Sequence, residues 1–269
     1  MNVVGQDKLV NELDRILLIF KESETKIRPH FILTGGSGSG KSHTIKNLCV
    51  KHKIHMIDIN AAQLTKEGTS GNSLSKALAP IGTQGGKPVV CFVDEFDKLF
   101  ISGNSNDSCA HESTTGVQNE FLKILESDTA SVFGDYGKYI PITINNVLFV
   151  FAGAFNGEEN ITLDRLREIG LKTEFLGRVG LVYNTKELSL EDLFNILESS
   201  ELLDKYCNLV QGADKEGTIY AIKDYLQKNY ENNTLGARQI NTLIHQYFIK
   251  GSLKEKEVNN ITFQKKLVL

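Results

Sequence analysis

Short apolar runs alternate with longer amphipathic stretches over the first two thirds of the chain. The runs are Phe31 to Leu33, Ile54 to Ile59, Val89 to Val93, Val147 to Phe151 and Val179 to Tyr183. They are rich in β-branched and aromatic residues and nearly continuous, the pattern of strands buried on both faces of a parallel sheet. Helical spacing recurs between them. Val10, Leu13, Ile16, Leu17 and Phe20 share one face over Asp7 to Phe20, and Val117, Phe121, Leu122 and Leu125 do so over Gly116 to Leu125. Five strands with helical crossovers predict a doubly wound α/β domain over residues 1–184. After about Tyr183 the pattern turns helical. Ser189, with Asp192 three residues on, marks a helix start followed by Leu190, Leu193, Phe194 and Leu197. Further helices fit Thr218 to Tyr230 and Leu235 to Lys250, the latter with Ile240, Leu243, Ile244 and Tyr247 in register. Val258 to Phe263 fits a short closing strand. Residues 185–269 therefore read as a small, mainly helical domain, with Asn184 to Glu187 as the hinge. Ser102 to Thr115 is almost wholly polar and predicts a mobile loop.

Composition narrows the classes. With 30 Lys+Arg against 33 Asp+Glu in 269 residues, the net charge of −3 argues against a strongly basic nucleic-acid binder, though not against a local basic patch. The densest basic cluster before the C-terminus, Lys51-His52-Lys53, suits a helix end. No apolar run approaches the ~18 residues of a membrane span. Met1 to Asp7 lacks the basic and apolar stretches of a secretory signal. Cysteines 49, 91, 109 and 207 form no CxxC, so free thiols in a reducing cytoplasm are expected. Cys109, His111 and Glu112 cluster in the polar run but lack the frame and fourth ligand of a metal site.

The chemistry concentrates in two segments. Gly35-Gly36-Ser37-Gly38-Ser39-Gly40-Lys41-Ser42, followed by His43, satisfies GxxxxGK[ST] directly after a predicted strand and at the opening of a helical pattern. Its glycines let backbone N–H groups converge on phosphate, and the helix dipole adds to them. Lys41 would reach the β- and γ-phosphates of ATP, and Ser42 would hold Mg²⁺ through its hydroxyl. Val89 to Val93 then ends in Asp94 and Glu95. At a strand's C-terminal end both acids face the same crevice as the phosphate loop. Asp94 would bind Mg²⁺ through water and Glu95 would polarise the attacking water, which argues for hydrolysis. Asp97 and Lys98 are expected to form a local helical charge pair.

With these segments in place, the chain resembles the AAA+ ATPases, specifically the ClpX/HslU-type protein unfoldases. Val3-Val4-Gly5-Gln6 is similar to the family segment packed near adenine, which places Val4 by the base. Val93 to Lys98 resembles the Walker B run, and Gly116-Val117-Gln118 with Leu122 to Glu126 resembles the helix that follows it. Val147 to Phe155 resembles the strand ending in Gly-Ala-Phe. Glu174-Phe175-Leu176-Gly177-Arg178 matches the arginine box, and Leu235-Gly236-Ala237-Arg238 the Gly-Ala-Arg of the lid. The resemblance implies a five-stranded P-loop AAA+ domain with a helical lid. It makes Arg178 an arginine finger acting on a neighbouring subunit's nucleotide, and Arg238 a lid sensor of its own nucleotide. A homo-oligomeric ring, usually a hexamer, follows, remodelling a protein client in the cytoplasm.

The match also breaks. The family grips its client with an aromatic-bearing pore loop, but alignment from Leu64 puts Thr69-Ser70-Gly71 at that position, and no aromatic lies between Ile57 and Val90. The insertion that docks a ClpP-type peptidase is missing between Asn156 and Thr173, so that partner is not expected. Lys265 to Leu269 leaves open the C-terminal docking used by HslU-type enzymes, with a closing strand as the alternative. No zinc-binding recruitment module precedes Val3. In place of the basic pore-entrance loop stands Gly134-Asp135-Tyr136-Gly137-Lys138-Tyr139, which also suits a hairpin. The fourth strand ends in Ala152-Gly153-Ala154 with Asn156 beyond, and no sensor is assigned there. Two other readings stay open: an ATP-dependent assembly switch that threads nothing, and a helper ATPase in DNA transactions.

Overall fold

The computed structural model describes residues 3–66, 71–100, 108–134, 137–232, 235–251 and 253; of residues 108–115 and 232 it describes the backbone alone. In chain order the strands are β1 Phe31–Thr34, β2 His55–Asn60, β3 Leu64–Thr65, β4 Asn72–Ser73, β5 Val89–Asp94, β6 Thr129–Phe133, β7 Tyr139–Thr143, β8 Val147–Gly153 and β9 Leu181–Asn184. The helices are α1 Asp7–Glu22, α2 Lys41–His52, α3 Leu74–Ala77, α4 Ser108–Leu125, α5 Leu163–Ile169, α6 Thr173–Arg178, α7 Leu190–Glu198, α8 Glu201–Leu209, α9 Lys215–Asn229 and α10 Arg238–Lys250.

The chain divides into two compact units. The first holds Gln6–Gly36 and Lys41–Thr185; the second holds the described residues from Lys186 onward together with Ser37–Gly40 and Val3 to Gly5. The first is built on an all-parallel five-stranded sheet in the order β2-β5-β8-β1-β9. The apolar runs are continuous because the inner strands are covered on both faces: every residue of β1 and β8 is buried. Alternate residues separate cleanly. Val89, Cys91 and Val93 of β5 and Val147, Phe149 and Phe151 of β8 enter one core with Phe96, Phe121 and Phe175. Val90 and Phe92, Leu148 and Val150 enter the other, with Leu13, Leu17 and Phe20 of α1 and Ile45 and Leu48 of α2. The doubly wound expectation is met.

The second unit closes a smaller core of Leu188, Leu193, Leu197, Leu203, Ile222, Leu226, Ile240, Leu243 and Ile244. Ser189 caps α7 as expected: its hydroxyl accepts the Asp192 N–H at 3.1 Å, and Asp192 Oδ2 accepts the Ser189 N–H at 2.9 Å. Helix α8 escapes the periodicity reading, since Leu202 and Leu203 are adjacent rather than spaced by a turn. Ser200 opens it by accepting the Leu203 N–H.

One expectation is overturned. Of the polar run Ser102 to Thr115, residues 108–115 are helical, as the first half of α4, and residues 102–107 lie outside the described residues. Once Val117 and Phe121 are buried, each preceding residue adds a backbone hydrogen bond without a new nucleus, so polarity alone does not stop the helix. Val258 to Phe263, Lys265 to Leu269, Thr69, Ser70, Asp135, Tyr136 and the side chains of Cys109, His111 and Glu112 lie outside the described residues. Lys51 and His52 do end a helix, both on Asp14, at 2.8 and 2.7 Å. Among the described residues Cys49, Cys91 and Cys207 form no disulfide, and burial pushes the Cys49 thiol up to about 12. Among the described residues no helix is long and apolar enough to cross a membrane.

His30 precedes β1, and its Nδ1 accepts the Phe149 N–H at 3.1 Å. Burial, with Arg28 nearby, lowers its pKa to about 4. The folded state therefore holds the neutral ring, while the unfolded chain binds a proton near pH 6.5. Stability from this group is complete above about pH 6.5 and is lost as pH falls toward 4. Denaturant midpoints recorded across that window should fall with acidity in the wild type. In His30→Asn, which keeps an acceptor and does not titrate, this component should be absent; parallel curves would show that His30 is not the group responsible.

Candidate functional site

The crevice at the C-terminal ends of β1 and β5 gathers the polar residues. Thr34 ends β1, and its carbonyl accepts from both the N–H and the hydroxyl of Thr185, at 2.9 and 3.1 Å. Its own hydroxyl donates to Asn184 Oδ1 at 2.6 Å. Asn184 in turn accepts the Ile161 N–H and donates to the Ile161 carbonyl. The strand that launches the phosphate loop is thereby tied to the segment read as the hinge.

The loop follows at Gly35. Lys41 Nζ donates to the carbonyls of Gly35 at 2.7 Å and Gly36 at 3.0 Å, so the cation lies over its own loop. Gly35, Gly36, Lys41 and Ser42 belong to the first unit, Ser37, Gly38, Ser39 and Gly40 to the second. Within the second unit Arg238 Nη1 donates to Ser37 Oγ at 2.8 Å, and the Ala237 N–H donates to the Gly38 carbonyl at 3.1 Å. Gly38 has φ +72°, and a Cβ there would stand 2.0 Å from the Leu235 carbonyl oxygen, so only glycine fits. Val4 lies in a turn of the same unit, half-buried. The neighbouring Gly5 at φ +77° sits against the Asp192 carboxylate. His43 pairs with Asn47, one turn along α2, at 3.0 Å.

Asp94 is held by both carboxylate oxygens. Oδ1 accepts the Glu95 N–H at 2.9 Å, and Oδ2 accepts the Ser42 hydroxyl at 3.3 Å. The hydroxyl and the carboxylate expected to share one cation are thus adjacent. Hard oxygen donors of this kind, one of them a carboxylate, fit Mg²⁺ bound partly by waters and phosphate. Asp58 on β2 is a residue that the motifs do not mark. Partial burial and the charge of Asp94 raise its pKa against the opposing charge of Lys46, so its carboxyl feels the field of Asp94. The alternation of Ile57-Asp58-Ile59-Asn60 is the available signal, and the pairing of β2 with β5 sets Asn60 beside Asp94.

Glu95 is exposed and has φ +55°, ψ +31°. A non-glycine residue in the left-handed region is strained by about 1 kcal/mol or more, and such strain collects at functional turns. Directly behind it, Asp97 is 1 % exposed, and its Oδ2 accepts the Phe155 N–H at 3.2 Å. Lys98 Nζ stands 3.9 Å away, so the expected charge pair is present but secondary to the backbone bond. Gly153 leaves room for this carboxylate, since a Cβ there would lie 2.7 Å from Asp97 Oδ1. Arg178 ends α6, half-exposed, with Nη2 on Glu126 Oε1 at 3.2 Å.

The sequence profile of the ATPase family associated with various cellular activities (AAA) matches residues 31–165. The chain is similar to the ATP-dependent Clp protease ATP-binding subunit ClpX of Treponema denticola, 25% identical over 327 aligned positions that cover 99% of this chain and 77% of that protein. It is 29% identical to the ClpX subunit of Borrelia duttonii over 194 positions, covering 65% of this chain and 45% of the relative.

Proposed function

The chain belongs to the ATPase family associated with various cellular activities, and from that membership we propose that it hydrolyses Mg²⁺-ATP at the interfaces of a homo-oligomeric ring to remodel a protein or protein complex. The observation that carries this reading is the division of the Asp94 carboxylate between Ser42 and Glu95 at the mouth of the phosphate loop. Lys41 would exchange the Gly35 and Gly36 carbonyls for β- and γ-phosphate oxygens. Ser42 and Asp94 would hold Mg²⁺, which when bound neutralises charge between those phosphates. Glu95 would orient and deprotonate the attacking water. Arg178 of a neighbouring copy would stabilise charge on the transferred phosphoryl group, and Arg238 would report the nucleotide to the helical unit. The similarity to two proteins named as ATP-binding subunits of a Clp protease supports a protein client. With no aromatic between Ile57 and Val90, a second reading is also favoured: a switch that assembles on ATP and releases on hydrolysis without gripping a chain.

Steady-state ATP hydrolysis per subunit, measured against protein concentration, tests the proposal. Specific activity should rise with concentration and saturate as the ring forms. Activity proportional to subunit number down to the lowest dilution would exclude a site completed by a neighbour. Binding without appreciable turnover at any concentration would leave the switch.

A further inference from the structure

Helix α6 has six residues, too few to hold its own position. It packs on α4 and α5, and Phe175 stacks on Phe96. Gln118, 3 % exposed, accepts the N–H of Lys172, the N-cap residue of α6, through Oε1 at 3.2 Å. The Lys172 side chain makes no capping bond at that end. Asn119 Oδ1 accepts from Lys172 Nζ. In the middle, Phe121 of α4 and Phe175 of α6 meet through Phe151, with ring centroids 5.5 and 5.0 Å apart. At the far end Glu126 receives Arg178. The aromatic contacts are apolar and leave rotation and sliding soft, whereas a buried amide bonded to one backbone N–H fixes a register.

We propose that Gln118 is a positioning residue for Arg178: by fixing the start of α6, it sets where the guanidinium at the other end projects toward a neighbouring copy. The buried Gln118–Lys172 bond is its anchor, and the Glu126 pair is the surface contact that Arg178 leaves when it engages a neighbour's phosphate. The proposal rests on the reading of Arg178 as a residue that acts in trans. Displacing a charge-stabilising group by about 1 Å can lower a rate by about a hundredfold, so a single buried amide far from the phosphate has leverage.

The test uses mixed rings of the full chain. Arg178→Ala subunits keep a complete hydrolytic site but give no finger; Glu95→Gln subunits keep the finger but cannot hydrolyse. Mixing the two should restore turnover, since each donor finger serves a recipient site. Gln118→Met, of similar volume but without the acceptor, is then placed in either partner. In the Glu95→Gln donor it should lower the restored rate by about tenfold or more. In the Arg178→Ala recipient it should leave the restored rate within about twofold, because there the helix end carries no arginine. Gln118→Glu, which retains an acceptor oxygen, should act as donor nearly as well as the parent. Equal loss in both placements would show a structural role and overturn the proposal, as would no loss in either. Failure of the parent mixture to recover activity would instead overturn the trans reading of Arg178, a separate outcome.

Discussion

Glu95→Gln is expected to lower the rate of ATP hydrolysis by roughly 10²–10⁴-fold while leaving ATP binding in place. The substitution keeps side-chain length and changes little in the fold. At φ +55° glutamine bears the same backbone strain as glutamate, and the Glu95 N–H that fixes Asp94 is untouched. Lys41, Ser42 and Asp94, to which binding is assigned, remain as they are. What disappears is the carboxylate proposed to take a proton from water, and an amide cannot replace it. Titration with a fluorescent ATP analogue, beside single-turnover hydrolysis, separates the two effects. Asp94→Asn gives the contrast: it weakens the partner of Ser42, so affinity and turnover should fall together. Turnover by Glu95→Gln within about threefold of the wild type would remove Glu95 from the chemistry and leave its left-handed backbone as a feature of the turn alone.

The parts of this site legible in the sequence are those whose function depends on neighbours along the chain. The phosphate loop is contiguous because a tight turn and the helix after it are local. Asp94 and Glu95 are legible because a fully apolar strand is buried along its length, so two acids at its end fall where the sheet opens to solvent. The β5 and β8 runs are continuous for a visible reason, since helices cover both faces of the sheet. The residues that hold these groups are polar side chains whose partners are distant. Asp97 finds the Phe155 N–H 58 residues away, Asn184 finds Ile161 at a separation of 23, and Gln118 finds Lys172 at 54. No spacing rule marks them, because the sheet order brings the partners together. Asp97 shows the consequence: beside Lys98 it reads as half of a local helical charge pair, and folding buries it against a backbone amide. The first half of α4 escapes the pattern for a related reason. Its polarity predicts solvent exposure, but exposure does not exclude a helix anchored by Val117 and Phe121.

Arg178→Ala carries the largest expected effect, a fall in turnover on the order of 10³–10⁵-fold, the range seen when a charge-stabilising arginine is withdrawn from phosphoryl transfer. Stability should scarcely change. Among the described residues of its own chain Arg178 bonds to Glu126 at 3.2 Å, and both side chains are roughly half exposed, at 53% and 43%. A pair of that kind contributes about 0–1 kcal/mol, and the same weakness leaves the guanidinium available to a stronger anionic partner. A phosphate bearing several oxygens offers charge-assisted, bidentate bonds that a single exposed glutamate oxygen does not. Arg178→Lys should recover little activity, because an ammonium on a flexible stem lacks the planar fork. Denaturant melts and hydrolysis rates on the same preparations decide the matter. Turnover collapsing with an unchanged melting midpoint is the signature of a residue held for chemistry rather than for folding. If turnover stays within about twofold of the wild type and the midpoint does not move, Arg178 is only the surface partner of Glu126, and the charge completing a neighbour's site must come from another cation.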